Sequence, residues 1–249
     1  MAQDPGRPEA AKSDVPVTRA APLPPMQRMA AAHLAESHRE TAPVTLLGDV
    51  DAEPIEALRA RLNRDLPSGS PNRISLTHLL VKACAQALRA HPDVNVGFVD
   101  GQRLEWSEIN VGVALSTPKG DLIVPVLRRA DTKPLSAIVA ELADLETRGR
   151  AGKLTLAEVK GGTFTLSNAG MVKSARWTTP IIHRPQCAIL GIGAIRDAAV
   201  VRNGQVVAGR MLPTSLTFDH RLVNGVPASL FVDALHDLIA APDRLELGP

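Results

Sequence analysis

Aromatic residues are scarce in this sequence: they make up 2% of its 249 residues, and tyrosine is absent. A surface on which single-stranded bases stack is therefore not expected, and the core must be built from Val, Leu, Ile and Ala. An excess of one charge is also lacking, because 28 Lys and Arg residues against 26 Asp and Glu residues leave a net charge of +2. Without a basic stripe for a phosphate backbone, we predict no nucleic-acid partner.

Cysteines are few as well. Cys84 and Cys187 lie far apart in apolar runs, which fits neither a disulfide framework nor a zinc site, and we predict buried thiols rather than nucleophiles. The first residues contain no apolar stretch typical of an export signal, and no later run is long and apolar enough to span a bilayer. These absences predict a cytoplasmic protein without a membrane partner.

Apolar residues make up 45% of the chain, enough for one large domain or two small ones. Residues 1–25 are rich in Pro, Ala and charge and are predicted to be disordered or a tether. Apolar spacing predicts helices over 26–37, 54–64, 76–90 and 134–150 and from Pro227. Alternation predicts strands over 44–51, 109–117, 122–127, 163–167, 187–195, 205–211 and 212–218. Helices between strands that pair locally indicate a mixed α+β architecture.

A histidine between two charged residues follows one predicted strand. The stretch TFDHRLVNG, residues 217–225, places Asp219, His220 and Arg221 where the strand gives way to a loop. A histidine held there can accept a proton near neutral pH, although structural histidines show the same local pattern. None of the chain's histidines has a carboxylate at metal-ligand spacing, and we predict no metal.

A second polar pair ends another predicted strand. GGTFTLSNAGM, residues 161–171, presents Ser167 and Asn168 before a turn of small residues. Turn chemistry alone would explain this pair. Because no G-x-S-x-G elbow surrounds Ser167, a hydroxyl that donates to a developing oxyanion fits better than a nucleophile. The G-x-G of residues 191–195 lacks a third glycine and a following amphipathic helix, so a dinucleotide site is not predicted.

Long motifs follow one another through the chain after residue 25. They are VNVGF from residue 94, INVGVALSTPKGDLIVPVLRRAD from 109, RAGKLTLAEVKGGTFTLSNAGM from 150, PIIHRPQCAILGIGAI from 180 and LPTSLTFDHRLVNG from 212. With these motifs the chain resembles the catalytic domain of the dihydrolipoamide acyltransferases, the core components of 2-oxo acid dehydrogenase complexes. The resemblance implies an α+β two-layer sandwich of the chloramphenicol acetyltransferase type. It also implies that residues 26–249 form the acyltransferase domain, assembled as a homotrimer or a larger homo-oligomer.

The resemblance also implies residue roles. The family motif D-H-R-x-x-D-G falls on residues 219–225, where His220 would be the general base for the acceptor thiol or hydroxyl. Ser167 would donate a hydrogen bond to the oxyanion formed at an acyl-CoA thioester, with acetyl-CoA or another acyl-CoA as cosubstrate. Asp219, Arg221 and Asn224 would support the site, whereas the residues that contact CoA are not identified. Because the family's site lies between subunits, His220 and Ser167 can come from different chains.

Three features depart from the family pattern. Asn224 replaces the usual aspartate, which keeps hydrogen-bonding capacity but removes a charge. His183 and Arg184 stand where the family commonly has an asparagine and a small residue or proline. The loop VKSARW, residues 172–177, also differs, so the acceptor pocket is expected to differ with it.

The length of the N-terminal segment leads to a prediction about the acceptor. About 25 tether-like residues are too few for a lipoyl domain. We therefore predict a free-standing enzyme, with no covalently bound lipoyl group on this chain, that acetylates a small-molecule hydroxyl such as that of a tetronate in natural-product biosynthesis. The alternative is the dihydrolipoamide S-acyltransferase core of a dehydrogenase complex.

Two readings from other functional classes are less consistent with the sequence. A non-catalytic scaffold is disfavoured because the chain keeps both His220 and Ser167. A serine hydrolase is disfavoured because the nucleophile elbow is missing and no triad acid can be assigned.

Overall fold

The computed structural model describes residues 14–117, 120 and 122–248. The helices in this part of the chain are α1 Pro25–Glu40, α2 Glu53–Leu62, α3 Leu76–Ala90, α4 Leu135–Arg150, α5 Leu156–Val159 and α6 Gly225–Ala240. The strands are β1 Pro43–Asp51, β2 Val96–Val99, β3 Gln102–Glu105, β4 Val111–Ser116, β5 Leu122–Ile123, β6 Val126–Leu127, β7 Phe164–Asn168, β8 Ala188–Ile192, β9 Arg196–Arg202 and β10 Gln205–Asp219.

A mixed sheet runs through the centre of the molecule in the order β1-β10-β8-β7-β4-β5, with β6 beside β4 and β9 beside β10. Strands β4, β7 and β8 are parallel, whereas β1, β8 and β9 are antiparallel to β10. The prediction that the strands pair locally is wrong for most of this sheet. Alternating apolar residues indicate which face of a strand is buried, but they do not indicate which strand lies beside it.

The two faces of the sheet have different neighbours. Thr214 of β10 shares a 2.8 Å hydrogen bond with His236 of α6, so Thr214 and the residues two positions away from it face the helices. On that face, the ring centroids of Phe164 and Phe231 lie 5.6 Å apart and join β7 to α6. Thr217 faces the opposite side, where its hydroxyl bonds that of Thr45 at 2.8 Å.

The loop of residues 172–178, here called the crossing loop, runs over the face of the sheet opposite the helices. Ala175 accepts a 2.8 Å hydrogen bond from Ala194, and Thr178 donates one of 3.1 Å to Ser215 of β10. The indole of Trp177 donates to the carbonyl of Gly48 at 3.2 Å. The segment that departs from the family pattern therefore covers β8, β10 and β1.

Each predicted helix is present, and the last one begins at Gly225, with Pro227 in its first turn. The two predicted strands from residue 205 to 218 are one strand, β10, and its partner β9 was not predicted. The β2–β3 hairpin and the short helix α5 were missed too. These elements are short or exposed and carry no clear apolar period.

The predicted hairpin of residues 109–127 is present. Its second arm is divided into β5 and β6, both antiparallel to β4, while Pro118, Lys119 and Asp121 of the predicted turn lie outside the described residues.

The N-terminal segment was predicted to be a tether. Its residues 14–24 contain no helix or strand and are exposed, while residues 1–13 lie outside the described part of the chain. The boundary at residue 25 stays a prediction. None of the helices in the described residues is long and apolar enough to cross a membrane.

Candidate active site

An ion pair holds the turn that follows β10. Asp219 is 1% exposed, and the Arg221 guanidinium donates to its two carboxylate oxygens, with Nε at 3.0 and 3.1 Å and Nη2 at 2.6 Å. The backbone N–H groups of Arg221 and Ala42 donate to the same carboxylate. Burial by itself raises the pKa of Asp219, but the hydrogen bonds from Arg221 and Ala42 outweigh it and keep this pKa below its ordinary value. The carboxylate is therefore ionised, and it fixes the turn.

His220 lies between these two paired residues with its side chain exposed. Its backbone N–H donates to the carbonyl of Ala42 at 2.9 Å, and its ring lies 5.6 Å from that of Phe218. No described residue makes a hydrogen bond to the imidazole. The backbone is thus held in place, and the ring is open to a substrate, whose proton the unprotonated ring nitrogen of a neutral imidazole can accept.

Ser167 lies at the end of β7, next to Asn168. Its Cα is paired with Ala114 of β4 and with Gly191 of β8, and the side chain is partly buried. Because side chains alternate along a strand, Ser167 faces away from the helices, on the side of the crossing loop. Within the described residues no hydrogen bond occupies its hydroxyl, which leaves it free to donate to an oxyanion.

The register of the sheet separates Ser167 from His220 within one chain. Ser167 is beside Gly191 of β8, and Gly191 is beside Ser215 of β10. His220 lies five residues beyond Ser215. At about 3.3 Å per residue and about 4.8 Å between strands, the Cα atoms of Ser167 and His220 are about 19 Å apart. Side chains at this distance cannot act on one thioester, so a single chain does not bring the two candidates together.

Asn224 is the N-cap residue of α6 and is exposed, and its side chain makes no capping bond within the described residues. The side chain thus stays available to a neighbouring group, four positions after His220. The asparagine carries no charge that would need a partner.

His183 and Arg184, two of the residues that depart from the family pattern, both contact α1. His183 packs on His33 with 4.8 Å between ring centroids, and Arg184 donates to Glu36 at 2.9 Å. Burial, followed by the proximity of His33, lowers the pKa of His183. These side chains form a contact between α1 and the segment before β8.

A cavity of about 510 Å³ adjoins the turn of His220, because its wall includes Thr41 and Pro43, which flank Ala42. Thr45 and Thr217 add hydroxyl groups, and residues 179–182 form the other side. Sequence reasoning missed this cavity. Its lining comes from three separate segments, residues 38–45, 179–182 and Thr217, and a motif does not indicate that distant segments meet.

Neither cysteine is a candidate for catalysis. Both thiols are buried, which raises the pKa of Cys187 to about 12 and raises that of Cys84 as well. Among the described residues, no group of three or more His, Cys, Asp or Glu side chains could hold a metal ion.

Residues 16–247 match the family model described as 2-oxoacid dehydrogenases acyltransferase (catalytic domain). A similar curated protein is the dihydrolipoyllysine-residue succinyltransferase component of the 2-oxoglutarate dehydrogenase complex of Escherichia coli (strain K12). It is 36% identical over 241 residues, which cover 96% of this chain and 57% of the relative. The chain thus spans little more than half the length of the curated relatives that it matches.

Two solved structures are similar at 30% identity. The dihydrolipoamide acetyltransferase of Azotobacter vinelandii has a TM-score of 0.85, with 94% of this chain and 99% of that chain covered. The cubic core of the pyruvate dehydrogenase multienzyme complex has a TM-score of 0.87, with 97% and 99% covered. Chloramphenicol acetyltransferase, at 15% identity, has a TM-score of 0.54 with 84% and 94% covered, which bears on the fold alone. The predicted α+β fold of this type is confirmed.

The prediction of a small-molecule O-acetyltransferase in natural-product biosynthesis is wrong. The relatives matched over nearly the whole chain are components of dehydrogenase complexes, as the stated alternative requires. That prediction depended on the length of a tether-like segment, which carries no information about the acceptor pocket. The prediction of the acyltransferase family, which depended on the motifs themselves, is confirmed. The chain belongs to the family of 2-oxoacid dehydrogenase acyltransferase catalytic domains.

Proposed function

We propose that residues 26–249 form the catalytic domain of a dihydrolipoyllysine-residue acyltransferase, which moves an acyl group between a dihydrolipoyl thiol and coenzyme A. The observation that carries this proposal is the exposed imidazole of His220, open to a substrate and held by the clamped turn of Asp219 and Arg221. The similarity to succinyltransferase and acetyltransferase components supports the substrate class.

The chemistry needs two protein groups. The imidazole of His220 takes the proton of the attacking thiol, and the thiolate sulfur then forms a bond to the thioester carbon. The carbonyl oxygen gains the negative charge and accepts a hydrogen bond from the hydroxyl of Ser167. When the intermediate collapses, the bond to the departing sulfur breaks, and His220 returns the proton to that sulfur. No metal and no redox step is involved in this sequence.

The spacing of the candidates supports the same assignment. The crystallographic and enzymatic investigation of the Azotobacter vinelandii enzyme concerned the roles of one serine, one histidine and one asparagine in its catalytic mechanism. Its histidine and asparagine are four positions apart, as are His220 and Asn224. Its serine precedes the histidine by 52 positions, compared with 53 for Ser167 here. We therefore assign Asn224 to the site beside His220.

Each site is proposed to form between two subunits of a homotrimer. The separation of about 19 Å between Ser167 and His220 in one chain requires a second copy to supply one of them. An interface in which the His220 side of one subunit meets the Ser167 side of the next is head-to-tail, and it forms a ring when the rotation between subunits closes. The similarity to a cubic multienzyme core supports a larger assembly of such rings.

Acyl transfer from acetyl-CoA and succinyl-CoA to dihydrolipoamide tests the proposal, with release of free CoA as the measurement. His220→Ala should lower kcat by about two to four orders of magnitude, because general-base catalysis commonly contributes that much. Ser167→Ala should lower kcat by about two to three orders through the lost oxyanion donor.

Matched controls are His91→Ala, at the end of α3, and Ser107→Ala, on an exposed turn. Both should keep wild-type turnover. Thioester loss that needs no acceptor would contradict the proposal, as would a His220→Ala variant within a few-fold of wild type.

A further inference from the structure

The side chain of Asn168, the residue after Ser167, joins the end of β7 to the start of α3. Its Nδ2 donates to Oγ1 of Thr77 at 3.0 Å, and its Oδ1 accepts from the backbone N–H of Gly170 at 2.8 Å. The backbone N–H of Gly170 can only donate, so it must face Oδ1. This leaves Nδ2 for the hydroxyl of Thr77, and the amide orientation follows from its partners.

The helix that carries Thr77 is a rigid support. Ten of the 15 residues of α3 are buried, and its first turn is closed by a capping box between Ser75 and His78. Further along, Nζ of Lys82 donates to the carbonyls of Asp131 and Lys133, both at 2.9 Å. A side chain on the first turn of this helix therefore has little freedom to move relative to the core.

The turn on the other side of Asn168 is tight. The backbone N–H of Ala169 donates to Ile192 of β8 at 2.9 Å. A Cβ added at Gly170 would lie 2.8 Å from Oδ1 of Asn168 and 3.1 Å from the carbonyl of Gly193, so no larger residue fits without displacement. The chain at Ser167 is thus fixed by the strand ladder on one side and by the Asn168 amide on the other.

We propose that Thr77 is a positioning residue for acyl transfer: its hydroxyl holds Asn168 and thereby aims the hydroxyl of Ser167 at the oxyanion. Asn168 faces the helices while Ser167 faces the opposite side, so a shift of the amide rotates the strand end and moves the Ser167 hydroxyl. The inference depends on the oxyanion role of Ser167 given under the proposed function. Thr77 itself touches neither substrate nor the reacting atoms.

Two variants separate the hydroxyl from the rest of the side chain, because Val keeps the shape of Thr without the hydroxyl and Ser keeps the hydroxyl without the methyl group. Thr77→Val replaces the hydroxyl by a methyl group and should lower kcat about tenfold, since small misplacements of catalytic groups are costly. Its KM for acyl-CoA should stay within about twofold, because no binding contact is lost. Thr77→Ser keeps the hydroxyl and should restore kcat to within about twofold of wild type. An unchanged kcat in Thr77→Val would overturn the proposal.

A double-mutant cycle tests whether Thr77 acts through Ser167. In a Ser167→Ala background, Thr77→Val should change kcat by less than about twofold, because there is no hydroxyl left to aim. A further tenfold loss would mean that Thr77 acts independently of Ser167. The positioning role of Thr77 would then be wrong, while the oxyanion role of Ser167 would be unaffected. If Ser167→Ala alone kept wild-type kcat, both the oxyanion role of Ser167 and the positioning role of Thr77 would be wrong.

Folding is checked by thermal melting and sedimentation of each variant. Thr77→Ala also lacks the hydroxyl and carries the same kinetic expectation as Thr77→Val. If neither hydroxyl-free variant folds, Thr77 is a structural residue, and the positioning proposal is wrong.

Discussion

Mixed oligomers of two inactive variants, His220→Ala and Ser167→Ala, should regain acyl transfer. The two side chains are about 19 Å apart within one chain, so each site needs His220 from one subunit and Ser167 from its neighbour. A subunit with Ser167→Ala still supplies a normal His220, and a subunit with His220→Ala still supplies a normal Ser167. A complete site forms at each interface where the Ser167→Ala subunit supplies His220 and the His220→Ala subunit supplies Ser167.

The size of the recovery follows from counting interfaces. In a ring of subunits drawn at random from an equal mixture, about one interface in four pairs an intact His220 with an intact Ser167. The mixture should therefore reach about one quarter of wild-type activity. Each parent alone should stay at or below about 1%, given the two orders of magnitude expected for either loss.

The measurement is CoA release by co-expressed, differently tagged variants, with the subunit ratio determined by intact mass. Co-expression of two differently tagged His220→Ala chains serves as the control and should show no recovery. If the mixed oligomers stayed at the activity of the parents, the site would lie within one chain, and the argument from the strand register would be refuted.

Two further predictions concern stability. Burial lowers the pKa of His78 to about 4 from the ordinary 6.5, so the unfolded chain binds this proton more tightly. The contribution of His78 to the free energy of unfolding should be fully present above about pH 6.5 and should fall by up to about 3 kcal/mol toward pH 4. Urea titrations should show a shallower pH dependence for His78→Gln, and an unchanged slope would contradict this assignment. Gly193→Ala would place a Cβ 2.0 Å from the carbonyl of Arg176 in the crossing loop and should destabilise the protein by about 3 kcal/mol. Thermal melting should detect this loss, and Gly69→Ala, with open space around it, should be neutral in the same measurement.

The positions of the candidate residues were predictable from local patterns. Ser167 is next to the last residue of β7 and His220 directly follows β10, and the end of each of these strands was predicted to within one residue. The motif of residues 219–225 also indicated the family, because it requires particular residue types at fixed positions. The prediction of the acceptor was wrong because it depended on the N-terminal segment, which contains no motif and offers only its composition.

The arrangement of the site was not predictable in the same way. The sequence by itself determined which side chains stand at strand ends and which faces of the strands are apolar. Only the tertiary structure decided that β7, β8 and β10 are neighbours in a register that separates Ser167 from His220 by about 19 Å. It alone brought Asn168 to Thr77, 91 positions away in the chain. Local propensity and periodicity act over a few residues, whereas register and helix packing are set by the burial of the whole core.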